Sequence, residues 1–150
     1  MSVLITTEIL GNHPILTSAD TNLDLVSAWV RSGDGLIGFG EYKRFEVKGE
    51  DRFIKAKNWW NEQLSEFSIQ NNVHGSGTGP ILFSSFSFDS NDTSVLIIPE
   101  VVLGHKNGKS WITWIGNKGQ PEITQISTSA ISSEITWQNG SISDERWREQ

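Results

Sequence analysis

Apolar and polar residues alternate in several short stretches of the chain, which is typical of half-buried β-strands. Residues 2–10 begin with such an alternation, and residues 36–47 are rich in the aromatic and β-branched residues that favour strands. Further strands are predicted over residues 81–88, 94–105 and 110–115. Asn107-Gly108 lies between the last two of these and predicts a hairpin turn, whereas Pro99 predicts a bulge or a sheet edge.

Residues 52–67 carry the strongest helical pattern. Apolar side chains recur there in steps of three and four, which predicts an amphipathic helix that buries Phe53, Ala56, Trp60, Leu64 and Phe67. Ser143, followed by two acidic residues, indicates the start of another helix close to residue 150. Residues 116–142 are rich in Ser and Thr and give no clear prediction.

A shorter helix is predicted over residues 22–31. Asp20 or Thr21 would cap it, and Gly33 and Gly35 would end it. Its inward side would consist of Leu23, Val26, Ala28 and Val30. Taken together, the elements predict an α+β fold, in which a mostly antiparallel sheet has two or three helices packed on it.

The length and composition fit one domain with a real core. A chain of 150 residues buries about 70% of its unfolded surface on folding, and seven Trp and seven Phe supply large apolar side chains. The net charge of −6 and the lack of a Lys/Arg cluster argue against a nucleic-acid partner. The chain has no Cys, and it shows neither a signal-peptide pattern nor an apolar run long enough to span a membrane. We therefore expect a cytoplasmic protein without a membrane partner.

The segment GDGLIG, residues 33–38, formally matches the G-x-G-x-x-G pattern of dinucleotide sites. That fingerprint requires a strand, a glycine turn and then a helix whose N-terminus meets the pyrophosphate. The predicted order here is a helix followed by a strand. The segment is therefore interpreted as a helix end followed by strand glycines, and no nucleotide is expected.

The other candidates for chemistry are weak. The histidines, His13, His74 and His105, are scattered and lack the spacing of a metal site. A Ser–His–Asp site stays open from the residue types, although no G-x-S-x-G elbow supports one. Trp111 and Trp114 lie three residues apart on a predicted strand, so they do not form one platform for sugar stacking. We predict no catalytic, cofactor-binding or metal-binding residue in this chain.

The order of motifs resembles the N-terminal region of the chorismate-binding enzymes, over about residues 25–115. The matching residues are Trp29, Gly38 with Gly40, Arg52 with Phe53, Phe86-Ser87-Phe88-Asp89 and Pro99-Glu100. Ser84-Ser85 depart from the pattern, because the family usually has two glycines there. Within the family, the chain looks most like the isochorismate synthases of menaquinone or siderophore pathways.

This resemblance implies a specific role. Isochorismate synthases move a hydroxyl from C4 to C2 of chorismate with water and Mg²⁺, using a Lys as general base and a Glu as general acid in their C-terminal half. Residues 1–150 would then be a single, largely structural N-terminal domain of a longer enzyme, inactive alone. Its partners would be the catalytic half, which binds chorismate and Mg²⁺, and further copies of itself through an uncovered apolar face.

Two alternatives remain open at this point. An anthranilate, aminodeoxychorismate or salicylate synthase would share the fold and differ in its nucleophile or its product. A stand-alone binding module without enzymatic activity would end in a stop codon after Gln150 and behave as a soluble monomer.

Overall fold

A computed structural model of the chain describes residues 2–11 and 24–121. The strands in this part are β1 (Val3–Gly11), β2 (Leu25–Arg31), β3 (Asp34–Phe39), β4 (Lys43–Val47), β5 (Phe67–Asn71), β6 (Phe83–Ser85), β7 (Ser94–Ile98), β8 (Val101–Lys106) and β9 (Lys109–Ile115). The helix in this part is α1 (Arg52–Glu66).

The strands form two sheets. The large sheet has six strands in the order β2-β3-β8-β9-β1-β5, and the small sheet has three strands in the order β4-β7-β6. Neighbouring strands are antiparallel except for β1 and β5, which run parallel. The first strand of the chain therefore lies inside the large sheet, between β9 and β5.

Helix α1 and the small sheet pack on one face of the large sheet. Ile5 and Phe67 of the large sheet form a cluster with Ile98 of the small sheet, and Trp59 and Trp60 of α1 pack against it. The opposite face of the large sheet carries a second apolar cluster, formed by Phe39, Val101, Leu103, Ile112 and Trp114. Apolar residues are thus packed on both faces of the large sheet.

The helix predicted over residues 52–67 is confirmed, and its predicted inward residues pack in the apolar clusters, with the exception of Phe53. Ala56 packs with Val47 and Leu96 of the small sheet, as predicted for an inward position. Phe53 was predicted to be inward and is 53% exposed, because Arg52 occupies the buried position instead. Phe67 is buried as the first residue of β5 and does not end the helix.

The predicted α+β fold class is wrong for the part of the chain that the structure describes, which is mostly β with one helix. Residues 25–31 form strand β2 and not the predicted helix. The physical reason is visible in the spacing of Val26, Ala28 and Val30, which is two residues and therefore strand-like. The predicted helix from Ser143 lies outside the described residues, as do residues 22–23.

The other boundaries are partly confirmed. β1 and the hairpin at Asn107-Gly108 agree with the prediction. The stretch 36–47 is divided between the two sheets by a break at Gly40. The stretch 94–105 is also divided, because the chain leaves the small sheet at Pro99 and enters the large one, where we had predicted a bulge or an edge. Of residues 81–88, three form β6.

Candidate functional site

One row of residues crosses the large sheet on the face that also packs against α1. Trp29 of β2 pairs with Leu36 of β3, which pairs with Gly104 of β8. Gly104 pairs with Trp111 of β9, which pairs with Ile9 of β1. Paired residues on neighbouring strands share a face, so these five residues form what we call the apolar row.

The indole of Trp111 lies over Gly104 in this row. A Cβ atom on Gly104 would come within 2.1 Å of Trp111 Cε2, so the indole requires a glycine at this position. Trp111 Nε1 donates a hydrogen bond to the carbonyl oxygen of Gly77 at 3.0 Å. The loop after β5 therefore fixes the indole, and Trp111 is almost fully buried.

Charged residues lie on the same strands, two positions closer to the turns of the β2–β3 and β8–β9 hairpins. In the strand register, Arg31 lies opposite Asp34 and Lys106 lies opposite Lys109; we call these four residues the charged row. Asp34 Oδ1 accepts a hydrogen bond from the backbone N–H of Asn107 at 3.1 Å, which joins the two hairpin ends. Within the described part of the chain, Arg31 and Lys106 form no ion pair.

Arg44 shows the contrasting case of a surface arginine with its charge compensated. A hydrogen bond to Glu46, helped by Glu41, raises the pKa of Arg44 above its usual value. The guanidinium is already fully charged at neutral pH, so this shift has no consequence for charge under ordinary conditions. Among the described residues, Arg31 forms no ion pair of this kind.

A cleft of about 470 Å³ lies between the two rows. Trp29, Leu36 and Trp111 of the apolar row line it, together with Gly77 and with Arg31, Asp34 and Lys106 of the charged row. A second cavity of about 430 Å³, which no charged residue lines, lies on the side of Trp29 and Leu36 that is nearer the small sheet, next to Phe83 and Ile97. The side chains of Trp29 and Leu36 border both cavities.

The structure brings Asp34, His105 and Ser110 together. His105 Nδ1 is 2.8 Å from Ser110 Oγ, and His105 Nε2 is 4.0 Å from Asp34 Oδ1. The arrangement of these three side chains resembles a Ser–His–Asp triad. Ser110 is only 1% exposed, however, so a substrate carbonyl has no access to its oxygen. The three residues therefore join the two hairpins and do not form a hydrolytic site.

The remaining predicted candidates are separate from the cleft. His74 lies exposed in the loop after β5, and His13 lies outside the described residues. No group of three His, Asp or Glu side chains that could hold a metal ion occurs in residues 2–11 and 24–121.

The glycine segment forms the β2–β3 hairpin. Ser32 and Gly33 both have positive φ, as in the two-residue turns that join antiparallel strands. The prediction that Gly33 ends a helix is wrong, because a strand precedes it. Strand β3 follows the turn directly, whereas a dinucleotide fingerprint has a helix N-terminus after its glycine turn.

The motifs that carried the family resemblance contact one another across the fold. Phe53 of α1 lies with its ring 4.7 Å from that of Phe86. The guanidinium of the buried Arg52 donates to the carbonyl oxygens of Gly49, at 3.2 Å, and of Ser87 and Phe88, both at 3.5 Å. These contacts tie the start of α1 to the turn that follows β6.

The glycine and proline motifs meet in the same way. A Cβ atom on Gly38 would lie 2.9 Å from Pro99 Cγ, and one on Gly40 would lie 3.0 Å from the Glu100 side chain. The backbone N–H of Glu100 also donates to the carbonyl oxygen of Phe39 at 3.0 Å. Positions 38 and 40 therefore need glycine, because they lie against Pro99 and Glu100, where the chain passes from the small sheet to the large one.

Comparison with known families gives a clear assignment. The profile of the family described as chorismate binding enzyme matches residues 25–145, which is most of the chain. The chain therefore belongs to the chorismate binding enzyme family, as the order of its motifs indicated. No curated protein and no solved structure matches it significantly.

Sequence reasoning missed the cleft. Trp29 was noted as a family motif, but Arg31 and Lys106 were not connected with it. The alternation in residues 25–31 was the available signal, because a strand there places Trp29 and Arg31 on one face.

In the described part of the chain, no helix is long and apolar enough to cross a membrane.

Proposed function

We propose that this chain is the N-terminal, largely structural portion of an isochorismate synthase-like enzyme of menaquinone or siderophore biosynthesis, located in the cytoplasm. The observation that carries the proposal is the family match over residues 25–145. The order of the motifs supports the isochorismate branch. In this proposal the two sheets and α1 complete the core around a catalytic half of the same polypeptide, which is the chain's main partner.

The chemistry is assigned to that catalytic half. It would supply the Lys general base, the Glu general acid and the carboxylates for Mg²⁺ that convert chorismate to isochorismate with water. Among the residues that the structure describes, no group of three His, Asp or Glu side chains is placed to hold a metal ion. In this proposal the chain itself supplies no catalytic group and supports the catalytic half by completing its core.

The test is an assay of two proteins with chorismate and Mg²⁺. The 150-residue chain should form no isochorismate, while the polypeptide encoded by the gene when it is read beyond Gln150 should form it. The products are separated and identified by chromatography. Isochorismate made by the 150-residue chain alone would contradict the structural role.

The same assay separates the alternatives. Anthranilate or aminodeoxychorismate formed with ammonia, or salicylate formed without it, would assign a related synthase of the same family. A stop codon directly after Gln150, together with a monodisperse monomer, would instead support a stand-alone binding module. Reading the codons after residue 150 is the cheapest of these observations.

A further inference from the structure

We propose that the exposed aromatic residues beside the start of α1 form a two-fold interface between two copies of this chain. These residues are Phe53, Phe86 and Phe88, and we call them the aromatic surface. In the dimer, Phe88 of each copy lies on the rings of Phe53 and Phe86 of the other copy. The interface does not depend on the proposed function, because it concerns association of described residues and involves no turnover.

Phe53 and Phe86 form an ordered aromatic platform. Their ring centroids are 4.7 Å apart, and the guanidinium carbon of Arg52 lies 4.6 Å from the centre of the Phe53 ring. Arg52 is itself buried and donates to the carbonyl oxygen of Gly49 at 3.2 Å. The two rings nevertheless remain exposed by 53% and 36%. Because the platform is already ordered, a further ring can pack on it with little loss of side-chain entropy.

Phe88 has an anchored backbone and an uncovered ring. Its carbonyl oxygen accepts a hydrogen bond from Arg52 at 3.5 Å, and Ser87 Oγ donates to the carbonyl oxygen of Asp89 at 2.6 Å. The side chain of Phe88 is fully exposed all the same, and among the described residues it contacts no other aromatic ring. A large apolar ring that an ordered turn holds in water gains free energy when a partner covers it.

A protruding ring and a platform on one surface meet the requirement of a two-fold interface. In such an interface, residue i of one copy contacts residue j of the other, and j contacts i in return. Phe88 follows Phe86 by two residues, yet their rings make no contact within the described chain. The platform of each copy is therefore open to Phe88 of the other copy, and the dimer contains the same aromatic contact twice.

The charges around the aromatic surface balance, which allows two copies of an acidic protein to approach each other there. The whole chain has a net charge of −6. Residues 48–57 and 86–92, which contain the surface, carry four acidic and four basic side chains. They are Glu50, Asp51, Asp89 and Asp92, and Lys48, Arg52, Lys55 and Lys57. Two copies thus meet across a locally neutral surface with interspersed charges of both signs, which can pair across the two-fold axis.

Other occupants fit this surface less well. An anionic lipid bilayer attracts clusters of basic residues, and a locally neutral surface gives it no such attraction. A small apolar molecule would find little enclosure, because the cavity of about 270 Å³ beside Phe88 is lined by the charged residues Glu50, Arg52 and Asp89. A second copy supplies both the apolar ring and the balanced charges, so the observations favour it.

Association of the 150-residue chain is measured by sedimentation equilibrium. The mean mass should rise with concentration toward twice 16.7 kDa and stop there. We expect a dissociation constant on the order of 10 µM, because three rings on each side make a small interface. Phe53→Ser and Phe88→Ser should each raise the dissociation constant about tenfold, since each substitution removes the aromatic contact on both sides of the axis.

An equimolar mixture of these two variants tests the arrangement directly. In the mixed dimer, Phe88 of the Phe53→Ser copy meets Phe53 of the Phe88→Ser copy, so one of the two contacts is intact. The mixture should therefore associate about threefold more tightly than either variant alone. The double variant Phe53→Ser/Phe88→Ser mixed with Phe88→Ser has no intact contact, and this matched control should show no recovery. Thermal melting shows that each variant is folded.

Several results would overturn the interface. A chain that stays monomeric, or whose mass rises beyond that of a dimer, would contradict the two-fold arrangement. A mixture that associates no more tightly than its components would contradict the docking of Phe88 on the platform.

Two further measurements would assign the surface to a different occupant and thereby also overturn the proposal. If the polypeptide that continues beyond Gln150 stays monomeric while the 150-residue chain dimerises, the catalytic half covers the surface. Binding to phosphatidylcholine vesicles that Phe88→Ser abolishes would assign the surface to a lipid bilayer. Product formation from chorismate is measured separately, so failure of the interface is distinguishable from failure of the proposed function.

Discussion

Gly104 and Trp111 share the space of one large side chain on neighbouring strands. The indole of Trp111 covers the Cα of Gly104, and its N–H is bonded to the carbonyl oxygen of Gly77. A change at either position alone should lower the stability of the fold. A larger residue at position 104 would displace the indole, and a smaller residue at position 111 would leave a cavity. The shape of the cleft therefore depends on a pair of residues that the hairpin register brings together.

Replacing Gly104 by Ala should destabilise the protein. The new Cβ would lie 2.1 Å from the indole, so the ring must move, and overpacking of this kind costs about 1–3 kcal/mol of the free energy of unfolding. Urea denaturation measures the loss. Gly75→Ala is the control and should be close to neutral, since nothing lies within 4 Å of its Cβ position. Equal stability of Gly104→Ala and Gly75→Ala would show that the indole can relocate freely.

At the scale of elements, α1 is the part that local pattern determines best. Its 15 residues keep the apolar period of an α-helix, and the prediction of its buried side was wrong at Phe53, which is exposed. Arg52 takes a buried place because its guanidinium finds backbone carbonyls on the turn after β6. That turn is about 35 residues away in sequence, so no local pattern could have revealed the exchange.

The two apolar residues Trp60 and Ile54 allow a test of the helix orientation. Trp60 packs on the cluster of Ile5, and Trp60→Ala should cost about 2–3 kcal/mol, less than a fully buried Trp because the ring is only half-buried. Ile54 is 64% exposed, so Ile54→Ala should change the stability by less than about 0.5 kcal/mol. Thermal and urea melts of both variants are compared. A larger loss for Ile54→Ala would mean that α1 packs with its other side.

Strand β2 shows why its own conformation and the cleft could not be predicted from the sequence. Val26, Ala28 and Val30 fit a strand, but Leu23 with Val26 also fits a helical step of three, and a capping residue precedes them. Pairing with β3 decides between the two, and β3 pairs in turn with β8, about 65 residues later. The cleft follows from these registers, since Trp29, Arg31 and Lys106 meet only when the strands are aligned. The glycine hairpin was misread for the same reason.

At the scale of the whole molecule, an aromatic surface is left uncovered beside the start of α1. Phe88 is fully exposed, and Phe53 and Phe86, whose rings contact each other, are exposed by 53% and 36%. Ser87 Oγ donates to the carbonyl oxygen of Asp89 at 2.6 Å, which holds the turn that presents Phe88. Exposed clusters of large apolar residues are characteristic of surfaces that associate with other polypeptides.

We expect the 150-residue chain to self-associate through this surface, as proposed for a domain without its catalytic half. Sedimentation velocity should show a mean mass that rises with concentration, and Phe88→Ser should reduce that rise by removing a fully exposed ring. Ile69→Ser, which removes another exposed apolar residue on β5, serves as the control and should change it little. A monomer at all concentrations would contradict this expectation and favour a stand-alone module.

The position of β1 has a consequence for synthesis on the ribosome. Among the described strands, β1 is made before the others, yet it pairs with β5 about 60 residues later and with β9 about 100 residues later. Until residue 115 has left the exit tunnel, β1 has an open edge with unpaired amides and carbonyls. The large sheet therefore closes late in translation, and its first strand is the segment most in need of protection by a chaperone while the nascent chain grows.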